Sequence, residues 1–192
     1  MNRIAIFASG QGSNAETILK DFKDHSNIRI AMICSDKKEP GVKAIARSFE
    51  VPFVYLPSGK RNDEEYLLNL LRTYSIDFIV LAGYLKLIPS FLLRKYQNKI
   101  INIHPSLLPR FGGKGMYGKY VHQAVKDAGV SETGITIHLV NEEYDKGRIL
   151  FQKSVPVDVH DSIETIESKV RKLEQQYFSK VIEQWVTSSY SS

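Results

Sequence analysis

A chain of 192 residues, 43% apolar and 24% charged, suits one soluble globular domain with a real core and is cramped for two. It holds no apolar run near the roughly 20 residues of a membrane helix, and no export signal precedes its first strand-like segment, so no membrane partner is expected and the cytoplasm is the expected compartment. The formal charge of +5 is spread along the chain rather than massed, which demands no nucleic-acid partner, and the one cysteine, Cys34, cannot form an internal disulfide.

In chain order, strand-like and helix-like patterns alternate. Arg3–Ala8 reads as a strand, Asn14–Phe22 as a helix, Ile28–Ser35 as a strand holding Cys34 as a small buried side chain, and Val42–Phe49 as a helix. Phe53–Leu56, a helix from Asp63 to about Tyr74, and the unbroken apolar run Phe78–Ala82 continue the rhythm, and that last run suits a strand buried on both faces. After Ile100–His104 the pattern changes. Gly134–Val140 alternates as a strand and Ile149–Val157 follows closely, which predicts an antiparallel hairpin or a mixed sheet edge. Asp161 with Glu164 resembles a capping box, and Ile163, Ile166, Val170, Leu173, Tyr177 and Val181 recur at helical spacing, so a long amphipathic helix is expected, with a frayed tail from Thr187 to Ser192. The fold expected is a single Rossmann-like α/β domain: a mostly parallel twisted sheet flanked by helices, with antiparallel C-terminal strands and a long C-terminal helix.

Two segments carry chemistry. Gly10-Gln11-Gly12-Ser13-Asn14 lies between the first strand and the first helix, where small residues let backbone N–H groups approach an anion. No Lys-Ser or Lys-Thr pair follows, which excludes a Walker loop, but Gly10, Gly12 and Ala15 satisfy G-x-G-x-x-A and Asp36 follows the second strand where a ribose-binding acid would stand. A dinucleotide site, a monophosphate site and a plain tight turn all remain open for this loop. The second segment is Asn102-Ile103-His104-Pro105-Ser106-Leu107-Leu108-Pro109. Alternation sends Asn102 and His104 to one face and Ile101 and Ile103 to the other, and an amide beside an imidazole can hold a developing oxyanion. Strand capping is the plainer alternative for that pair. His138 alternates with Ile137 and Leu139 and reads as structural, while His25, His122 and His160 lie in polar or helix-end contexts without metal-ligand spacing, so no metal is expected.

The string N-I-H-P-S-L-L-P, with the pattern around it over nearly the whole chain, resembles the folate-dependent formyltransferases. The resemblance implies that 10-formyltetrahydrofolate is the co-substrate and that a ribonucleotide amine, that of glycinamide ribonucleotide, receives the formyl group. It implies catalytic roles for Asn102, His104 and Asp145, the last otherwise a turn-forming residue before Lys146-Gly147. It further assigns Gly12, Ser13, Asn14, Gly83 and, on the terminal helix, Glu174 to the ribonucleotide and its phosphate. To the folate it assigns Leu85, Lys86, Leu87, Ile88, Asn102 and the turn Asn141, Glu142, Glu143, Tyr144 and Asp145. By this reading residues about 1–100 form a phosphate-binding half and about 101–192 a catalytic and folate-binding half of one domain, acting as a monomer or homodimer on small molecules. Arg171 departs from the amide expected near Glu174, and the loop Gly112–Gly118 is longer and richer in glycine than in those relatives. A cover over the site and an irregular turn are both open for that loop, and Lys114 meets a phosphate only if the loop folds inward.

Rival readings remain at this point. A transfer-RNA formyltransferase shares the string but carries a further C-terminal domain, and a formyltetrahydrofolate hydrolase carries an extra N-terminal one. An NAD-dependent oxidoreductase and a nucleotide sensor without turnover are the more distant alternatives.

Overall fold

The computed structural model describes residues 1–188. Seven strands form one sheet in the order β3-β2-β1-β4-β5-β6-β7. β1 (Asn2–Phe7), β2 (Ile28–Ser35), β3 (Phe53–Tyr55), β4 (Phe78–Leu81) and β5 (Ile100–His104) run parallel, whereas β6 (Glu132–Leu139) and β7 (Ile149–Pro156) are antiparallel to their neighbours. The expected mixed sheet is therefore present, and the parallel part has the doubly wound order whose switch point lies between β1 and β4.

Side-chain alternation divides the core in two. Ile4, Ile6, Ile101 and Ile103 pack on the face covered by α1 (Ser13–Asp21), α2 (Gly41–Ser48) and α7 (Ile163–Ser188). Ala5, Phe7, Ile79 and Ile100 pack on the other, against Leu67 and Leu71 of α4 (Glu64–Thr73) and Leu92 of α5 (Ser90–Lys95). The period of two in each strand is what allows one apolar run to serve both layers.

Periodicity did not reveal three short helices: α3 (Ser58–Arg61), α5, and α6 (Lys119–Asp127). α3 and α5 span four and six residues, fewer than two turns, and show little of the 3.6-residue stripe, while α6, of nine residues, starts after Gly118 with no side-chain cap to mark it. The start of α7 also differs from expectation. Its cap is Ser162, whose Oγ accepts the N–H of Thr165 at 3.1 Å, while Asp161 instead accepts from Asp158 N and pairs with Lys169. Thr187 continues α7 rather than fraying, and the part of the expected frayed tail at 189–192 lies outside the described residues. No helix among the described residues is long and apolar enough to cross a membrane.

Candidate active site

A cleft of about 530 Å³ opens at the carboxyl ends of β1, β4 and β5. Ser13 and Asn14 at the start of α1 form one end of its wall; Gly83 and Leu85–Ile88 follow from β4, Asn102 and His104 from β5, His138 from β6, and Glu174 from α7. Asn141, Glu143, Tyr144 and Asp145 complete it from the β6–β7 connection. Of the residues singled out from sequence, Gly12 and Glu142 do not line it. Gly12 precedes α1 with φ +88°, and a Cβ there would lie 2.7 Å from that of Val42, so glycine is required to seat α1 beside α2.

The polar floor is a four-residue cluster. Asn102 stands directly across the antiparallel ladder from His138, and its Nδ2 lies 3.1 Å from His138 Nε2. His138 Nδ1 lies 2.8 Å from the carbonyl of Leu139, which fixes Nδ1–H as donor and leaves Nε2 to accept from the Asn102 amide. The second amide hydrogen of Asn102 points to Asp145 Oδ1 at 3.5 Å. Asp145 Oδ2 accepts the Gly113 N–H at 2.8 Å and lies 3.5 Å from His104 Nδ1. Residues 102, 104 and 145 thus converge as expected, and His138 joins them. The partner of His138 is what the sequence did not show, because β5 and β6 are antiparallel: the pairing that puts it opposite Asn102 depends on register, which alternation within one strand does not report.

Backbone geometry holds this cluster in place. Asp145 has φ +57°, a conformation costly for a residue with a side chain, and it sits two residues before Gly147, where a Cβ would lie 1.6 Å from the Leu139 carbonyl. The turn after His104 is tied by Ser106, whose Oγ donates to Arg110 O at 2.8 Å, and by Thr136, whose Oγ1 donates to Ser106 O at 2.7 Å and accepts Leu108 N at 3.0 Å. These bonds replace the ladder that the proline-rich chain cannot make.

Charge follows burial. Burial pushes the His104 imidazole below its ordinary value and outweighs the opposing pull of Asp145 and of the Phe111 carbonyl, which lies 2.8 Å from Nε2. A carboxylate beside an imidazole favours its protonated form; desolvation at a side chain only 4% exposed reverses that balance in the resting protein. Burial also acts to raise Asp145, but His138, whose Nε2 lies 3.5 Å from Oδ1, the electrostatic pull of His104 and the Gly113 N–H together bring its carboxyl below the ordinary value. The carboxylate is therefore the fixed negative charge of the site. At the other end, burial raises Glu174 to about 7 against the hydrogen bond from Asn14 Nδ2 at 3.1 Å.

Ser9, which the sequence did not single out, joins three strand ends. Its Oγ donates to Asp36 Oδ1 at 2.5 Å and accepts the Leu85 N–H at 3.2 Å, while its N–H donates to Gly83 O at 3.1 Å. Asp36, the acid that a dinucleotide reading gives to a ribose, is thereby turned inward, its side chain 7% exposed and 3.9 Å from Lys86 Nζ. The loop Gly113–Gly118 folds inward and lines the cleft with Lys114. Among the described residues, no group of three or more His, Cys, Asp or Glu is arranged to hold a metal ion.

A switch-point cleft carrying an amide, an imidazole and a carboxylate defines a group-transfer enzyme of the Rossmann-like class. The formyl transferase family model matches residues 2–182, and the chain belongs to that family. It is 42% identical over 186 residues to phosphoribosylglycinamide formyltransferase, chloroplastic, of Arabidopsis thaliana, covering 94% of this chain and 64% of that protein, so it spans less than two thirds of that relative's length. It is 41% identical over 189 residues to phosphoribosylglycinamide formyltransferase of Bacillus subtilis (strain 168), covering 96% of this chain and 94% of that one. The crystal structure of phosphoribosylglycinamide formyltransferase from Bacillus halodurans superposes with a TM-score of 0.87 at 34% identity, covering 98% of this chain and 97% of that one.

Proposed function

We propose that the chain transfers the formyl group of 10-formyltetrahydrofolate to the amine of N1-(5-phospho-D-ribosyl)glycinamide, giving the N-formyl product and tetrahydrofolate in de novo purine synthesis. The observation that carries this reading is the meeting of Asn102, His104 and Asp145, the last two 3.5 Å apart, in one cleft with the start of α1.

In this reading the amine nitrogen attacks the formyl carbon, whose oxygen becomes an oxyanion. Collapse breaks the bond from that carbon to N10 of the folate, and one amine proton is delivered to N10; the protein forms no covalent intermediate. Asn102 is the oxyanion donor. Of its two amide hydrogens, the one reaching Asp145 over 3.5 Å makes the weaker bond and is the one exchanged for the oxyanion. His104 carries the proton. Resting neutral, it can take the amine proton, and Asp145 beside Nδ1 then balances the imidazolium. Its Nε2–H is engaged by the Phe111 carbonyl at 2.8 Å, so a direct bond from Nε2 to substrate requires that contact to be exchanged.

Ser13, Asn14 and Gly83 take the phosphate side and Glu174 the ribose side of the ribonucleotide, with Gly12 setting the loop. Leu85, Lys86, Leu87 and Ile88 take the pterin, joined by Asn102 and the turn Asn141, Glu142, Glu143, Tyr144 and Asp145. The division into a phosphate-binding half near 1–100 and a catalytic and folate-binding half near 101–192 belongs to the same reading, with Leu85–Ile88 contributed across it. So do small molecules as the partners, a monomer or homodimer as the working form, and the cytoplasm as the compartment. The test is formation of tetrahydrofolate from 10-formyltetrahydrofolate with and without the ribonucleotide. Strict dependence on the ribonucleotide supports the transferase; equal release without it supports a hydrolase, and no release in either case a sensor.

A further inference from the structure

His122 lies in the second turn of α6, is 4% exposed, and lines the cleft. The sequence placed it in a polar or helix-end context, and neither the mechanism nor the assigned pockets use it. Its Nδ1 is buried and has no hydrogen-bond partner. A ring nitrogen so placed costs roughly 1–3 kcal/mol, and because Nδ1 is sealed from the cleft, it is Nε2, also without a hydrogen-bond partner, that a ligand in the cleft can reach.

The surroundings indicate which ligand. α7 presents Glu167, Val170, Arg171 and Glu174 to the cleft, a single helical stripe. The seven residue steps from Glu167 to Glu174 span roughly 10 Å along the axis. At one end Glu174 is tied to Asn14 at the start of α1. At the other, Glu167, which pairs with Arg171, acts electrostatically on His122, as does His104 of the reactive cluster. From phosphate to amine an extended phosphoribosyl glycinamide spans a similar length, on the order of 10 Å from standard bond lengths. The stripe therefore leads from the ribonucleotide end of the cleft, where Glu174 meets Asn14, toward His122 and the His104 cluster.

We propose that His122 is a binding residue for the glycinamide arm of the ribonucleotide, one ring nitrogen hydrogen-bonding the arm's amide as the amine is delivered beside His104. This rests on the formyl-transfer reading and extends it to recognition of the acceptor. The purified full chain and its His122→Leu and His122→Gln variants are compared in steady-state kinetics with each substrate varied separately, in calorimetric binding of the ribonucleotide, and in thermal melts. His122→Leu is expected to raise the KM and Kd for the ribonucleotide about tenfold, the loss of one hydrogen bond, while the KM for the formyl donor stays unchanged and the melting temperature does not fall. His122→Gln, which keeps a hydrogen-bonding group near the position of Nε2, is expected to recover most of the loss. Unchanged ribonucleotide affinity in His122→Leu overturns the proposal, as does a parallel rise in both KM values with a fall in melting temperature. Failure of the wild type itself to bind the ribonucleotide would refute the functional reading and this one together, whereas a variant result against an active wild type refutes only this one.

Discussion

Glu174 supplies a prediction whose size follows from its surroundings. The carboxyl sits half-buried on α7, and burial raises it from the ordinary 4.5 to about 7, the Asn14 hydrogen bond and the nearby Arg171 charge offsetting only part of that effect. Between these two values the folded protein holds a proton that the unfolded chain has released, so stability falls as pH rises. The contribution is fully present below 4.5 and lost as pH passes through about 7. At 1.36 kcal/mol per pH unit the full loss is about 3 kcal/mol. Glutamine keeps the shape and cannot ionise. Glu174→Gln should therefore exceed the wild type in unfolding free energy by about 1 kcal/mol near pH 5 and about 3 kcal/mol near pH 8, other titrating groups cancelling in the difference. Urea denaturation of both proteins at the two pH values measures it. A gap of the same size at both, or a variant less stable than wild type near pH 8, would refute the argument that this carboxyl is ionised against its environment.

Asn102→Ala removes the donor placed for the oxyanion and should lower kcat on the order of a hundredfold to a thousandfold, with the KM for the ribonucleotide little changed; equal losses of melting temperature and activity would instead mark the residue as structural. Gly147→Ala sets a Cβ 1.6 Å from the Leu139 carbonyl and should destabilise by at least about 2 kcal/mol, with faster amide exchange at Leu139, whose N–H donates to Arg148 O; a variant as stable as wild type would contradict the packing described. Ser9→Ala releases both Asp36 and the Leu85 N–H and should raise the KM for the formyl donor severalfold while kcat holds. An unchanged KM would show that Leu85–Ile88 keeps its shape without that link.

The parallel half was the more legible part of this fold, for a physical reason. Phe78–Leu81 and Ile4–Phe7 are buried on both faces and read as apolar runs whatever their partners, and the glycines after β1 mark the switch point directly. Asn102 and His104 were legible because alternation is a property of one strand. Three things were not. His138 required the register of two strands far apart in sequence, the link through Ser9 required three strand ends to meet, and the neutral state of His104 required the degree of burial. His122 was set aside because a histidine near a helix start gives no local sign that its ring will be enclosed by a cleft.

The reversal of direction at β6 is what makes the site possible. Run antiparallel, β6 sets His138 opposite Asn102 and Thr136 opposite His104, so one strand both enters the reactive cluster and ties down the turn after His104. The connection to β7 then bends at Gly147, with Leu139 N bonded to Arg148 O, and throws Asp145 back over the strand it has just left. The positive φ of Asp145 is the local cost of that bend, offset by the Gly113 N–H and by the side chains of Asn102, His104 and His138 grouped around its carboxylate. An acid contributed from a relaxed turn would face solvent; here strain, register and the inward-folded glycine loop hold it at the imidazole.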